Sequence, residues 1–506
     1  MTLSKAEIDG IARGAADSAA SEAEIRRLLR ALPDFVFHAK RAIPLVKLCA
    51  AGVDYGWREL ERTAKPELLA DLSAKAKANL RRNLQRDLKE ITRSCLNLEW
   101  TSFGLAMTSI GVATGQREPK MIEEMFLRDK PSHRLFSLFK KFPVLAALWC
   151  QSIRQWREHV SEVFSRLAAD RRALSQTFFT KPIHKIVNAH FGLSDRHNSG
   201  RTVVHLQFDA GSIIYKPRSG GGEAEWFSLL DWMNRNGFQP KLRTARVLRR
   251  KGYYWTEYIE PASCENEAAA RRFYERIGGI IAAAHLLKLV DCHRDNLIAS
   301  GEQPVLVDVD ALWHVSPLTK TQSFSDVLYR TGFLPNTNPR SLQSRSSVLG
   351  PGTTGKHLPR LAGNPLLAAD YQREMARGFV RVWRCLLGTA NRRDAFARRL
   401  RRICSNERRW IYWATEKYAA IREASIQAGS LRSSVERDLL IRRLCGRDIV
   451  SPAVIDAEIR ALKQLDIPYF LRKTNERAPS DKLPGPGELI KAIRRVLPKP
   501  RLPICS

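Results

Sequence analysis

Between Leu289 and Val315 the chain reads Leu-Val-Asp291-Cys-His293-Arg-Asp-Asn296-Leu-Ile, then Gly-Glu-Gln-Pro, then Val-Leu-Val-Asp308-Val-Asp310. An apolar stretch delivers a carboxylate, an imidazole and a carboxamide into a short loop. After a turn, a second apolar stretch ends on two alternating acids. These are the parts that phosphoryl transfer needs. One carboxylate orients an attacking hydroxyl, and an amide oxygen with a second carboxylate holds Mg²⁺, so the protein supplies position and charge rather than covalent chemistry. Asp291 is the candidate for the first role, and Asn296 with Asp308 for the metal. Any one of these residues alone fits a polar turn between two buried strands; the ordered set points to a site.

Other residues gain meaning beside this set. Lys216 ends an apolar alternating run and is followed by Pro217, which stops strand pairing. A strand Lys facing a cleft is a usual partner of the α- and β-phosphates of ATP, and Arg218 offers a second phosphate contact. Ser194-Asp195-Arg-His197-Asn-Ser-Gly200-Arg201 has the small polar residues of a loop over phosphates, or of an ordinary turn with a capping Asp. Trp255-Thr-Glu257-Tyr-Ile259 stands where an adenine-binding hinge would, with a backbone role. Arg409-Trp-Ile-Tyr-Trp-Ala-Thr415-Glu-Lys-Tyr418 reads, taken alone, as an amphipathic helix.

Several elements must position these residues. Residues 1 to about 180 are dominated by Ala, Leu, Arg and Glu at helical spacing, with a capping box at Ser21-Glu-Ala-Glu24. Two hairpins follow: 202–208 with 212–217 across Asp-Ala-Gly, and 245–249 with 253–259 across Arg-Lys-Gly, with a helix from 223 to 236 between them. A helix over 266–289 leads into the site. A Ser-, Thr-, Gly- and Pro-rich segment, 316–358, lies where an activation loop would. Helical patterning returns over 366–448, and Pro with Lys and Arg accumulates from Pro479 onwards as a loose tail. The expected fold is α+β: a small antiparallel sheet plus a helical lobe, preceded by a helical region.

Composition sets the outer bounds. The chain has 506 residues, 44% hydrophobic and 27% charged, which excludes a disordered chain. No apolar run reaches the ~20 residues of a membrane span, and the start has neither the apolar core nor the cleavage site of a signal peptide. Nine scattered Cys without a Cys-x-x-Cys pair suit reduced thiols in a cytoplasm and predict no structural metal. The net charge of +32 is spread over most of the chain and favours a basic surface that attracts acidic partners. No nucleic-acid-binding motif accompanies it, so specific nucleic-acid binding is not expected.

The loop spacing Asp-x-His-x-x-Asn is similar to that of lipid kinases. Taken with Ser194-Asp-Arg-His197…Gly200-Arg201, Tyr215-Lys-Pro-Arg218, Tyr254-Trp-Thr-Glu257 and Pro304-Val-Leu-Val-Asp308-Val-Asp310, it resembles the N-terminal dehydratase domain of class II lanthipeptide (lantibiotic) synthetases, the LanM enzymes. The resemblance spans residues 185 to about 420, in family order. It implies a two-lobed, lipid-kinase-like core divided as a helical region 1–180, an N-lobe 181–262, a C-lobe 263–450 and a tail 451–506. It implies ATP and Mg²⁺ as cofactors, and phosphorylation of Ser and Thr in a precursor peptide followed by elimination of phosphate. Lys216, Asp291, His293, Asn296 and Asp308 match the phosphorylation residues; Asp195, His197, Arg409 and Thr415 match those of elimination. Arg218 and Glu257 are carried over to the nucleotide, and Asp310 to the metal.

The chain departs from the family at Ser194, where Gly is usual, and at Asp310, where Glu is usual. It also has Trp413-Ala414-Thr415 for Arg-Pro-Thr, which removes a cation and bears on elimination more than on phosphorylation. No Cys and His zinc spacing follows Tyr418, so a stand-alone dehydratase working with a separate cyclase is expected, on a precursor whose leader is acidic. Two alternatives stay open: a kinase without lyase activity, acting on a peptide or small molecule, and an inert basic scaffold.

Overall fold

A computed structural model describes residues 4–15, 20–32, 44–109, 125–126, 131–312, 328–335, 346–350, 354–387, 389–405, 407–445 and 451–472. The expected activation-loop segment 316–358 falls largely outside these residues, and the stretch from Pro479 onwards wholly so. The architecture is mixed α and β, mainly helical with small antiparallel sheets. The chain forms two compact units, each discontinuous in sequence: Met1–Tyr215 with Trp413–Tyr469, and Lys216–Tyr412 with Phe470 onwards. The division expected at 262/263 therefore falls inside the second unit, and that at 450/451 inside the first.

In the first unit, α1 (Lys5–Gly14) and α2 (Glu22–Ala31) each start at a Ser whose hydroxyl accepts the N3 amide while the N3 Glu returns to the Ser amide. Helices α3 (Pro44–Thr63), α4 (Ala74–Ser109), α5 (Pro131–Lys141) and α6 (Pro143–Phe178) follow. Helix α6 buries a long apolar stripe from Val144 through Trp149 and Val160 to Phe178, and packs on α3 and α4. Strands β1 (Ile186–His190), β2 (Val204–Phe208) and β3 (Gly211–Lys216) form an antiparallel meander, with β1 also against α4. Strand β1 was not anticipated: Ile186–His190 is too short to show a period of two.

The second unit begins at Lys216 and adds α7 (Gly221–Arg235), the hairpin β4 (Val247–Arg250)–β5 (Tyr253–Glu257), and α8 (Glu267–Leu286). A tight hairpin β6 (Leu297–Ser300)–β7 (Gln303–Leu306) comes next, then α9 (Gln372–Leu387) and α10 (Ala390–Ser405). Its core gathers Trp226, Met233, Phe273, Ile277, Ile281, Leu297, Val305 and Phe379 around α8.

The expected single helix over Arg409–Tyr418 is corrected. Arg408–Trp410 is a strand, β8, paired antiparallel with β9 (Phe470–Arg472). Pairing with β9 holds this stretch extended, and the helix starts only at Thr415. That helix, α11 (Thr415–Ser425), returns to the first unit with α12 (Ser434–Cys445) and α13 (Pro452–Lys463) around Tyr418, Ile421, Ile441, Leu462 and Ile467. Residues 452–472 are thus ordered elements rather than a tail. Among the described residues no helix is long and apolar enough to cross a membrane.

Candidate functional site

Strand β3 ends on Lys216, whose ammonium is buried, donates to the carbonyl of Val307 and lies 3.5 Å from Glu223 Oε1. Glu223 stands in the first turn of α7 and accepts the hydroxyl of Tyr254 on β5. Burial, and then the Glu223 charge, push the Tyr254 hydroxyl well above its usual pKa, so it stays a donor. A buried ammonium is tolerable because a buried carboxylate and a carbonyl satisfy it. Glu223 was not singled out by its sequence. The available signal was an acid opening a helix just after Gly220-Gly-Gly222 and a strand Lys. Gly222 has a reason to be glycine: a Cβ there would lie 2.8 Å from the Val309 carbonyl oxygen. That lets the start of α7 press on the segment bearing Asp308 and Asp310.

The β6–β7 hairpin turns at Gly301, which adopts φ 63°. Its ladder is extended by the Val307 amide donating to the Asn296 carbonyl at 2.9 Å. The hairpin thereby returns the chain so that Asn296 enters and Asp308 leaves at one end. The carboxylates of Asp308 and Asp310 converge on Arg218, at 2.5 and 3.0 Å. Burial alone would raise the pKa of Asp308; the charges of Arg218 and Lys216 outweigh it and hold the carboxyl well below its usual range.

Helix α8 ends at Leu286, and the loop beyond it places Lys288 and Asp291 at φ 46° and 66°. Such left-handed backbone costs of order 1–3 kcal/mol for a non-glycine and gathers at functional sites. The Asp291 carbonyl accepts from the His293 amide and from Asn296 Nδ2, each at 2.9 Å, which locks the loop. Asn296 Nδ2 also lies 3.1 Å from His293 Nε2. Arg409 on β8 joins the two halves. Its Nη1 is 3.3 Å from Asp291 Oδ2 and its backbone N–H donates to the Asp310 carbonyl at 3.0 Å. Burial pushes the Asp291 carboxyl up to about 6, with Asp310 and Asp308 adding to the rise and Arg409 and His293 opposing it. A carboxylate near neutrality suits a general base.

Lys216, Arg218, Asp291, His293, Asn296, Asp308, Asp310 and Arg409 are therefore assembled within the second unit. Arg409, which the resemblance groups with elimination, contacts Asp291 of the phosphorylation set. Glu257, in the same unit, is committed elsewhere: it pairs with Arg243 at 2.9 Å and Arg246 at 3.2 Å. Asp195, His197 and Thr415 belong to the first unit. Asp195 is exposed; His197 is half-buried, with Nδ1 2.7 Å from the Ile467 carbonyl and its ring 5.1 Å from that of Tyr469. Thr415 opens α11, where Lys417 places its ammonium 4.2 Å from the ring centroid of Trp413.

Two carboxylates and an amide oxygen form an all-oxygen donor set that suits a hard divalent cation such as Mg²⁺. The convergence of Asp308 and Asp310 on one guanidinium shows that the two can share a single positive charge. Among the described residues no group of three or more His, Cys, Asp or Glu is placed to hold a metal. Asn296 would add a third oxygen donor to the two carboxylates.

A family model described as a domain of unknown function, DUF4135, matches residues 142–356 and 351–473, more than half of the chain. A curated relative, the lacticin 481/lactococcin biosynthesis protein LcnDR2 of Lactococcus lactis subsp. lactis, is 23% identical over 389 residues. The match covers 65% of this chain and 40% of the relative. The chain belongs to the DUF4135 family, whose domain is found in the class II lanthipeptide synthetases.

Proposed function

We propose that the chain is a dehydratase of lanthipeptide biosynthesis with a lipid-kinase-like core. It uses ATP and Mg²⁺ to phosphorylate Ser and Thr of a ribosomally made precursor peptide, then eliminates phosphate to leave dehydroamino acids. One observation carries this reading: a buried Lys216–Glu223 pair, the convergent Asp308 and Asp310, and the Asp291–His293–Asn296 loop stand together in one compact unit. The family and the biosynthetic role that the relative's name carries supply the peptide context. Buried free cysteines among the described residues agree with a reducing cytoplasm.

Bound ATP supplies the phosphoryl group, and Mg²⁺ neutralises the charge that develops on its oxygens. The residues divide the remaining work. Asp291 accepts the proton of the attacking Ser or Thr hydroxyl as its oxygen bonds to phosphorus and the bond to ADP breaks. Lys216 orients the phosphates, with Glu223 and the Val307 carbonyl fixing its ammonium. Asn296 and Asp308, with Asp310, would hold the metal, and Arg218 must then share or release the carboxylates it grips. Elimination asks for a base at the α-carbon and cations at the departing phosphate; His197 and Asp195, with Arg409 and Thr415, are the residues proposed for it. Glu257 keeps only a backbone role near the nucleotide. An acidic leader and a separate cyclase complete the proposed partners.

Incubating the protein with a precursor peptide, ATP and Mg²⁺, and following mass, tests the reading. Successive losses of water are expected. A phosphate gain that never converts would leave a kinase alone, the outcome that Ser194 and Trp413 would favour. No mass change on any Ser- and Thr-bearing precursor would contradict both.

A further inference from the structure

The loop from Ser194 to Arg201 holds three consecutive residues in left-handed backbone: Asn198 at φ 47°, Ser199 at 70° and Gly200 at 79°. For the two non-glycines this carries a cost of order 1 kcal/mol or more each, so something outside the loop must hold it. Successive amides in such a turn point the same way and form a concavity for an anion. The chain supplies that anion itself. Asp466, only 2% exposed, accepts from the Ser199 amide at 2.6 Å and the Gly200 amide at 2.9 Å. The next residue engages the loop too: the Ile467 amide donates to the Arg196 carbonyl at 2.8 Å, and the Ile467 carbonyl lies 2.7 Å from His197 Nδ1. Asp466 and Ile467 are themselves anchored. Leu465, at φ 61°, offers its carbonyl to Arg422 Nε at 3.0 Å, and Arg422 grips Glu90 through both terminal nitrogens at 2.8 and 2.7 Å.

A carbonyl oxygen only accepts, so His197 Nδ1 must carry the hydrogen, and the neutral ring has its lone pair on Nε2. A carboxylate that merely stabilised a turn would not need its neighbour's carbonyl on the histidine. We propose that Asp466 and the Ile467 carbonyl are positioning groups for His197, clamping its loop and fixing the Nδ1–H tautomer so that Nε2 can accept a proton. This rests on the assignment of His197 to elimination. In that step the α-proton passes to Nε2, its electron pair forms the Cα=Cβ bond, and the Cβ–O bond breaks as phosphate leaves with that bonding pair.

The test uses the full chain. Nitrogen-15 NMR of histidine-labelled protein reads the His197 tautomer in the wild type, and elimination is timed on a pre-phosphorylated peptide with ADP and Mg²⁺. The wild type should show a single Nδ1–H tautomer. Asp466→Asn turns one acceptor into a donor facing two N–H groups. It should lose the single tautomer and slow elimination on the order of 10²-fold, with KM for the phosphopeptide and the phosphorylation rate unchanged. A wild-type Nε2–H tautomer overturns the proposal and needs no variant to fold. So does wild-type elimination by Asp466→Asn. A wild-type protein that phosphorylates but never eliminates instead sinks the lyase assignment, and with it the proton-accepting role of His197.

Discussion

At the scale of single residues, Asp308 and Asn296 carry the greatest expected effect. In the proposed metal set each would supply one oxygen, and Arg218 already draws on both acids, Asp308 and Asp310. Asp308→Ala and Asn296→Ala are each predicted to abolish transfer of phosphate from ATP to peptide; wild-type transfer by either would remove that residue from the site. Glu223→Gln is a subtler probe. Gln keeps an oxygen for the Tyr254 hydroxyl but removes the charge beside Lys216, which is 3.5 Å away. A charged hydrogen bond is worth roughly 1.5–3 kcal/mol, so phosphorylation should slow about 10- to 100-fold without unfolding. An unchanged rate at saturating and limiting ATP would show that Lys216 needs no partner. The acids and the amide of this cluster were singled out by the types and order expected of phosphoryl transfer, and they lie together in one unit. The sequence did not disclose Glu223, whose role exists only once α7 has swung its first turn under β5.

Among the elements, α8 and α9 cross in close backbone contact, and glycine is what permits it. A Cβ on Gly278 would lie 1.9 Å from the Met375 carbonyl oxygen, and one on Gly378 would lie 1.8 Å from that of Glu275. Two effects compete in Gly278→Ala. Helix propensity favours Ala by about 1 kcal/mol, while overpacking against backbone costs about 1–3 kcal/mol. Backbone carbonyls inside a helix cannot step aside, so overpacking should win and the thermal midpoint should fall. A midpoint above that of wild type would contradict the tight crossing. Helices and hairpins were legible from period and turn chemistry: α7, α8 and both hairpins of the 202–259 region lie within a few residues of their expected limits. What stayed hidden depended on partners far away in sequence. Arg408–Trp410 becomes a strand because Phe470–Arg472 pairs with it. The Ser194–Arg201 loop takes its shape from Asp466. No local pattern announces either.

For the whole molecule, buried histidines should make stability fall as pH drops. Burial lowers the pKa of His159 to about 3 and those of His285 and His357 to about 4, against 6.5 for the free group. Between those values the unfolded chain binds protons that the folded chain does not, so stability is full above the unfolded pKa and falls as pH drops. The slope is about 1.4 kcal/mol per pH unit for each group over that window. The thermal midpoint should therefore drop between neutral pH and pH about 5, less steeply in His159→Gln; a flat midpoint would contradict neutral burial. The net charge of +32 acts at longer range. It should steer an acidic leader through a field screened over roughly 8 Å at physiological salt, so leader affinity measured by fluorescence anisotropy should fall as salt rises. Affinity flat with salt, or a neutral leader, would remove that role from the charge. The most direct test of a kinase that becomes a lyase is a pulse of γ-labelled ATP with precursor peptide and Mg²⁺. The label should enter the peptide and then leave as inorganic phosphate while the peptide loses water, and Asn296→Ala should block its entry. Dehydrated peptide formed without label ever passing through it would contradict a phosphorylated intermediate.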